Sequence, residues 1–151
     1  MKATIAIVLG LTLAASTAFS QGSSDQTNHQ RSFFCDAKAY ATANIAQAKK
    51  GFLWSTKSDN NGVVEAALAH ITHMRIMLPE EDMKNLESAV TLFVRGGQTP
   101  VIRYKAYLAS LVFANPGMFR STATETYNGC NEFFCAIATQ LQQSLLSHSA
   151  Q

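Results

Sequence analysis

Apolar residues recur along this chain at steps of three and four, the spacing of one helix face, and nowhere alternate over the length of a strand. The clearest stretch is residues 99–115, TPVIRYKAYLASLVFAN. Thr99 is a capping residue, Pro100 suits the first helical position, and Asn115-Pro116-Gly117 stops the helix. Ile102, Ala106, Ala109 and Phe113 run along one side, with Val101, Leu108 and Val112 beside them.

The same periodicity predicts the other helices. Ser32 caps a first helix whose apolar face carries Phe34, Ala37, Ala41, Ile45 and Ala48, with Phe33 and Tyr40 alongside. Lys49-Lys50-Gly51 weakens the pattern before the bulky cluster Phe52-Leu53-Trp54. At the end of an amphipathic helix, Trp54 is expected to plug the core rather than stand out as a recognition anchor. Residues 57–62, KSDNNG, form a turn. Val63, Val64, Ala67, Leu68, Ile71, Met74 and Leu78 then trace a second helix. Pro79 is expected to end it and to open the third, with Glu80, Glu81 and Asp82 placing negative charge in the new helix's first turn. Met83, Leu86, Ala89, Val90, Phe93 and Val94 make the third stripe, which Arg95 and Gly96-Gly97 close. After the fourth helix, at 99–115, the polar segment 118–129 is anchored by Met118, Phe119 and Tyr127. The last helix starts near Asn131 and carries Phe133, Phe134, Ile137, Leu141, Leu145 and Leu146 on its face. The expected fold class is all-α.

The amino-terminal end reads differently. Residues 1–20 have the form of a signal peptide: the basic start Met1-Lys2, an apolar run over 3–15, and Ala18-Phe19-Ser20 before a cleavage after Ser20. The run is too short for a membrane span, and no cysteine follows it closely enough for a lipid anchor. Residues 21–31, QGSSDQTNHQR, contain no apolar residue and are expected to be a disordered linker, leaving 32–148 as a single helical domain. Export to the periplasm or the medium follows. Removing 20 residues from 151 leaves 131, enough for a real core. Losing Lys2 takes the formal charge from +2 to +1, which points to neither nucleic acid nor an anionic membrane, and no stable membrane insertion is expected after cleavage.

Residues 61–77, NGVVEAALAHITHMRIM, echo the 99–115 helix at a distance of 38 residues, pairing Val64 with Ile102, Leu68 with Ala106 and Ile71 with Ala109. A period in this range is typical of stacked two-helix units, each of which buries its apolar face only against a neighbour. Residues 86–115 resemble a HEAT repeat: an apolar first helix, a short loop, then a proline, a Val-Ile-Arg opening and small residues at Ala106 and Ala109. Residues 45–77 resemble a second, weaker unit. The resemblance implies a short α-solenoid of antiparallel hairpins, with a compact helical bundle as the alternative. HEAT units often carry an Asp before the second helix and an Arg inside it. Here Asp59 is followed by Glu65 in the Arg's region, and Arg103 is preceded by Gln98-Thr99, so that ladder is broken.

Three sets of residues carry candidate chemistry. Arg103, Tyr104, Lys105 and Tyr107 combine basic and aromatic side chains on the part of the central helix expected to be exposed, a composition favoured at protein interfaces. His70, His73, Met74 and Met77 occupy consecutive turns of one helix and offer soft ligands suited to copper. Cys35, Cys130 and Cys135 are odd in number, so one is left free or pairs between chains. A bridge from Cys35 to Cys130 or Cys135 would close about 95 to 100 residues and contribute roughly 2–4 kcal/mol. Glu80, Glu81 and Asp82 are explained by helix capping. No nucleophile motif, phosphate loop or zinc pattern is present, so neither enzymatic activity nor a cofactor is expected. The expected role is a non-enzymatic adaptor for a protein partner; a periplasmic inhibitor or immunity protein and an envelope metal-binding protein are the alternatives.

Overall fold

Side-chain oxygens placed just before apolar runs start three of the helices. Asn44 accepts from the Gln47 amide at 3.1 Å and opens α1 (Ile45–Ser55). Asn60 accepts from Gly62 and Val63 and opens α2 (Asn61–Met77). Thr99 accepts from Ile102 at 3.1 Å and opens α4 (Pro100–Ala114), whose first residue is the proline. Between α2 and α4 lies α3 (Lys84–Gly96), and after two 3-10 turns, Pro116–Phe119 and Ser121–Thr124, the chain enters α5 (Cys130–Ser149). The computed structural model describes residues 33–34 and 44–149, with the side chains of 148 and 149 excepted. The expected signal peptide (1–20), the linker (21–31), Ser32 and residues 35–43, Cys35 among them, lie outside the described residues. Among the described residues there is no strand. The protein is all-α.

Packing centres on α2, which touches α1, α4, α5 and both 3-10 turns, while α3 and α4 form a closely packed hairpin across a three-residue loop. Leu68, Ala69, Ile71 and Met74 of α2 and Ala106, Ala109 and Val112 of α4 are wholly excluded from solvent. Alanines at this crossing let the helices approach closely, while Leu86 and Val90 fill in from α3 and Phe133 and Ile137 from α5. The three residue pairs at 38-residue spacing, Val64 and Ile102, Leu68 and Ala106, Ile71 and Ala109, are all buried. Phe119 and Tyr127 are buried anchors of the polar connection, and Met118 is half-buried.

Lys49-Lys50-Gly51, which weakens the apolar pattern, lies within α1. Two expectations are corrected. Pro79 does not open α3; residues 79–83 form a turn, Met83 is the cap, and Asp82 Oδ1 accepts from the Lys84 amide at 3.2 Å. Trp54 is no core plug but is 76% exposed. The inward side of α1 carries Ala48, Phe52 and Leu53, and Trp54 stands about 200° around the axis from Phe52.

Two glycines separate backbone freedom from steric need. A Cβ on Gly97 would lie 2.8 Å from both Ile102 Cγ2 and the Phe93 carbonyl oxygen, whereas one on Gly51, within α1, would meet nothing within 4 Å. Gly97→Ala is therefore expected to destabilise the protein by roughly 1–3 kcal/mol, as an overpacked position does. Gly51→Ala should stabilise it by about 0.5–1 kcal/mol. Urea unfolding of the two variants checks the opposite signs.

Candidate functional site

The four side chains expected on one exposed face of α4 divide into two groups. Tyr104 and Tyr107 are 54% and 47% exposed, and with half-buried Leu111 they fall within an arc of about 60° on the helix. Val101, 49% exposed, extends this stripe toward the helix start. Arg103 lies half-buried at its edge, where Nη1 donates to the Gly97 carbonyl at 2.8 Å and ties α4 to the preceding loop. The expected exposure of Lys105 is wrong: it is 4% exposed.

Lys105 turns inward because acceptors from two other helices meet it there. Its Nζ donates to a carboxylate oxygen of Glu65 on α2 and to Asn131 Oδ1 in the first turn of α5. Cys130 Sγ lies 3.6 Å away, and the Phe134 ring centroid is 5.8 Å away. A buried ammonium is tolerated only when paired and hydrogen-bonded in this way. Sequence spacing carried one usable signal, namely that Lys105 follows Ile102 by three residues and precedes Ala109 by four and Val112 by seven, all three of them buried.

The histidines face a different neighbourhood. His70 is stacked between Phe33, 4.9 Å away, and Phe52, 5.3 Å away. His73 is buried, stacked on Phe34 at 4.2 Å, and its Nε2 approaches the Ala123 carbonyl oxygen at 3.3 Å. Phe34 in turn meets Phe133 edge-on at 4.7 Å, and the Phe33 amide donates to the Tyr127 carbonyl at 2.7 Å. The amino-terminal pair Phe33-Phe34 is thus clamped between α2 and α5. Met74 is fully buried in the core and Met77 is partly buried against it, so the thioethers serve packing. Among the described residues no three His, Cys, Asp or Glu side chains group as a metal site.

Burial lowers the His70 imidazole below its ordinary value. Burial also lowers that of His73, opposed by the bond to Ala123 and assisted by the nearby His70. Tyr127 is pushed the other way, above the usual phenol range, by burial and then by Glu125, whose carboxylate accepts from its hydroxyl at 3.2 Å. Among the described residues Cys130, half-buried, and Cys135, exposed, are free thiols; Cys35, the other end of the expected bridge, lies outside the described residues.

No protein family, curated protein or solved structure matches the chain.

Two measurements test this arrangement. Glu65→Ala leaves the Lys105 ammonium buried without its carboxylate and should cost on the order of 3 kcal/mol in urea unfolding, whereas the double change Lys105→Met with Glu65→Leu should recover most of that loss. The histidines predict a pH effect. Their folded-state values lie below the unfolded value of about 6.5, so their contribution is present above pH 6.5 and is lost as pH falls from there toward the folded value. The unfolding midpoint should therefore drop between pH 7.5 and 5.5, and less so in a His70→Gln, His73→Gln variant.

Proposed function

We propose that this protein is a non-enzymatic helical binding module that engages another protein through the exposed stripe of α4. The observation that carries the reading is the presentation of Tyr104 and Tyr107, about half exposed, on a helix whose opposite side is fully buried. Tyrosine offers large contact area with few rotatable bonds, and a helix held by its core presents it with little ordering cost. Arg103, held by its bond to Gly97, supplies a cation at the rim of the stripe. Lys105 is withdrawn from the surface, so the recognition set becomes Arg103, Tyr104 and Tyr107. A binding role rather than catalysis is further supported by the way Lys105, the buried cation, is committed to holding α2, α4 and α5 together.

The reading also includes export, supported by the amino-terminal sequence pattern, and a HEAT-like stacking of hairpins, supported by the shared burial of positions 38 residues apart. The partner is then a protein of the same compartment.

The test uses the full chain as bait in crosslinking mass spectrometry on cell-envelope extract, beside a Tyr104→Ala, Tyr107→Ala variant. A single partner crosslinked next to α4 in the wild type, and captured at least tenfold less well by the variant at unchanged unfolding midpoint, is the expected result. A captured toxin or hydrolase that loses activity would make the role inhibitory. Capture unaffected by the variant sinks the α4 assignment.

A further inference from the structure

A second surface, away from the tyrosine stripe, has the features of a small-molecule site. Between α1 and the start of α3 lies a cleft of about 370 Å³. Leu53 from α1 and Met83 and Leu86 from the head of α3 supply apolar lining, and Lys49, Lys50 and Lys84 line it as well. We propose that this cleft binds a single-chain amphiphile with an anionic head group, of the class of a medium-chain carboxylate.

The sign of the head group follows from the charges. Lys49 is already satisfied: its Nζ donates to Glu81 at 2.6 Å and to the Asp82 carbonyl at 2.9 Å. Lys50 and Lys84 are exposed and have no carboxylate partner among the described residues. Against these two ammoniums the cleft sets one carboxylate, that of Asp82, whose Oδ1 is occupied by the Lys84 amide at 3.2 Å. The next amide of α3, that of the exposed Asn85, belongs to the helical turn whose N–H groups lack intrahelical acceptors, and Asn85 lines the cleft; Leu86, which follows, is buried beneath it. Met83, the cap, contributes no side-chain hydrogen bond there. The lysines, the Asn85 amide and the positive end of the helix dipole together favour an anion.

The tail follows from the lining and the size. The volume is at the lower end of the range of about 300–1,000 Å³ that small-molecule sites occupy, too small for a two-chain lipid to be enclosed. Met83 and Leu86 are buried at the base of the cleft and Leu53 is partly buried beside them, while Lys50 and Lys84 are exposed, an arrangement that separates a hydrocarbon contact, made chiefly with Leu53 and the lysine methylenes, from a charged one.

The test titrates sodium decanoate, below its micelle-forming concentration, into the full chain. It follows the amide resonances of Asn85 and Leu86 and the fluorescence of Trp54, the single tryptophan, which adjoins Leu53. The expected result is saturable binding centred on those resonances. Affinity should fall by up to about fourfold for each methylene removed from the tail, and by at least tenfold in a Lys50→Ala, Lys84→Ala variant whose unfolding midpoint is unchanged. Four outcomes overturn the proposal. These are no saturable response, an equal response to decyltrimethylammonium chloride, an equal response to acetate, and a response confined to phosphatidylglycerol vesicles, which would make the site a membrane-surface contact. None of these bears on the α4 stripe, which is tested by partner capture.

Discussion

A lysine ammonium under the surface of a small helical protein has to be met by acceptors, and in this chain the acceptors come from two other helices. Lys105 on α4 draws Glu65 from α2 and Asn131 from α5 to one point. The hydrophobic contacts among these helices are largely non-directional, so α5 could slide or rotate on Phe133 and Ile137 at little cost in buried area. The polar contacts at Lys105 are directional and set the register at which α5 begins. They also leave the opposite side of α4 to the tyrosines, because a helix whose inner flank is pinned cannot turn its outer stripe inward.

The second ordering element is aromatic. Phe33, Phe34, Phe52, Tyr127, Phe133 and the two histidines form edge-on and stacked pairs around α2. Imidazoles inside such a cluster serve as flat, neutral rings, and burial keeps them neutral. The two histidines and two methionines that offer a metal-ligand pattern in one dimension are accordingly found stacked on phenylalanines or packed in and against the core. The thioether of Met74 and the imidazole of His73 are each taken up by neighbours from other parts of the chain.

Features controlled by nearby residues were legible in the sequence. The cap at Thr99, the proline after it, the stop at Asn115 and the buried faces of α2 and α4 depend on residues within a few positions of one another. Misreadings arose where a distant partner or a whole turn decided the outcome. Lys105 between two tyrosines looks like a surface residue, because the Glu65 that allows its burial stands 40 positions away. Trp54 looks like core by size, yet the helical step from Phe52 turns it outward. Pro79 looks like a helix start, but three carboxylates and Met83 intervene before the amide that Asp82 caps. The lysine-lined cleft was not legible at all, since its two walls are about 30 residues apart and neither carries a motif.

The docking of Phe34 against Phe133 joins positions 99 residues apart, and the hydrogen bond from Phe33 to Tyr127 spans nearly as far. Closure over such a distance comes late in folding, after the local hairpins have formed. On the ribosome, Phe33 and Phe34 must wait for almost the whole chain to be synthesised before their binding place exists. Until α5 emerges, the aromatic face of α2 has no cover from the carboxyl-terminal side. A nascent chain stopped short of that point would therefore be a natural substrate for chaperones that hold unfinished proteins.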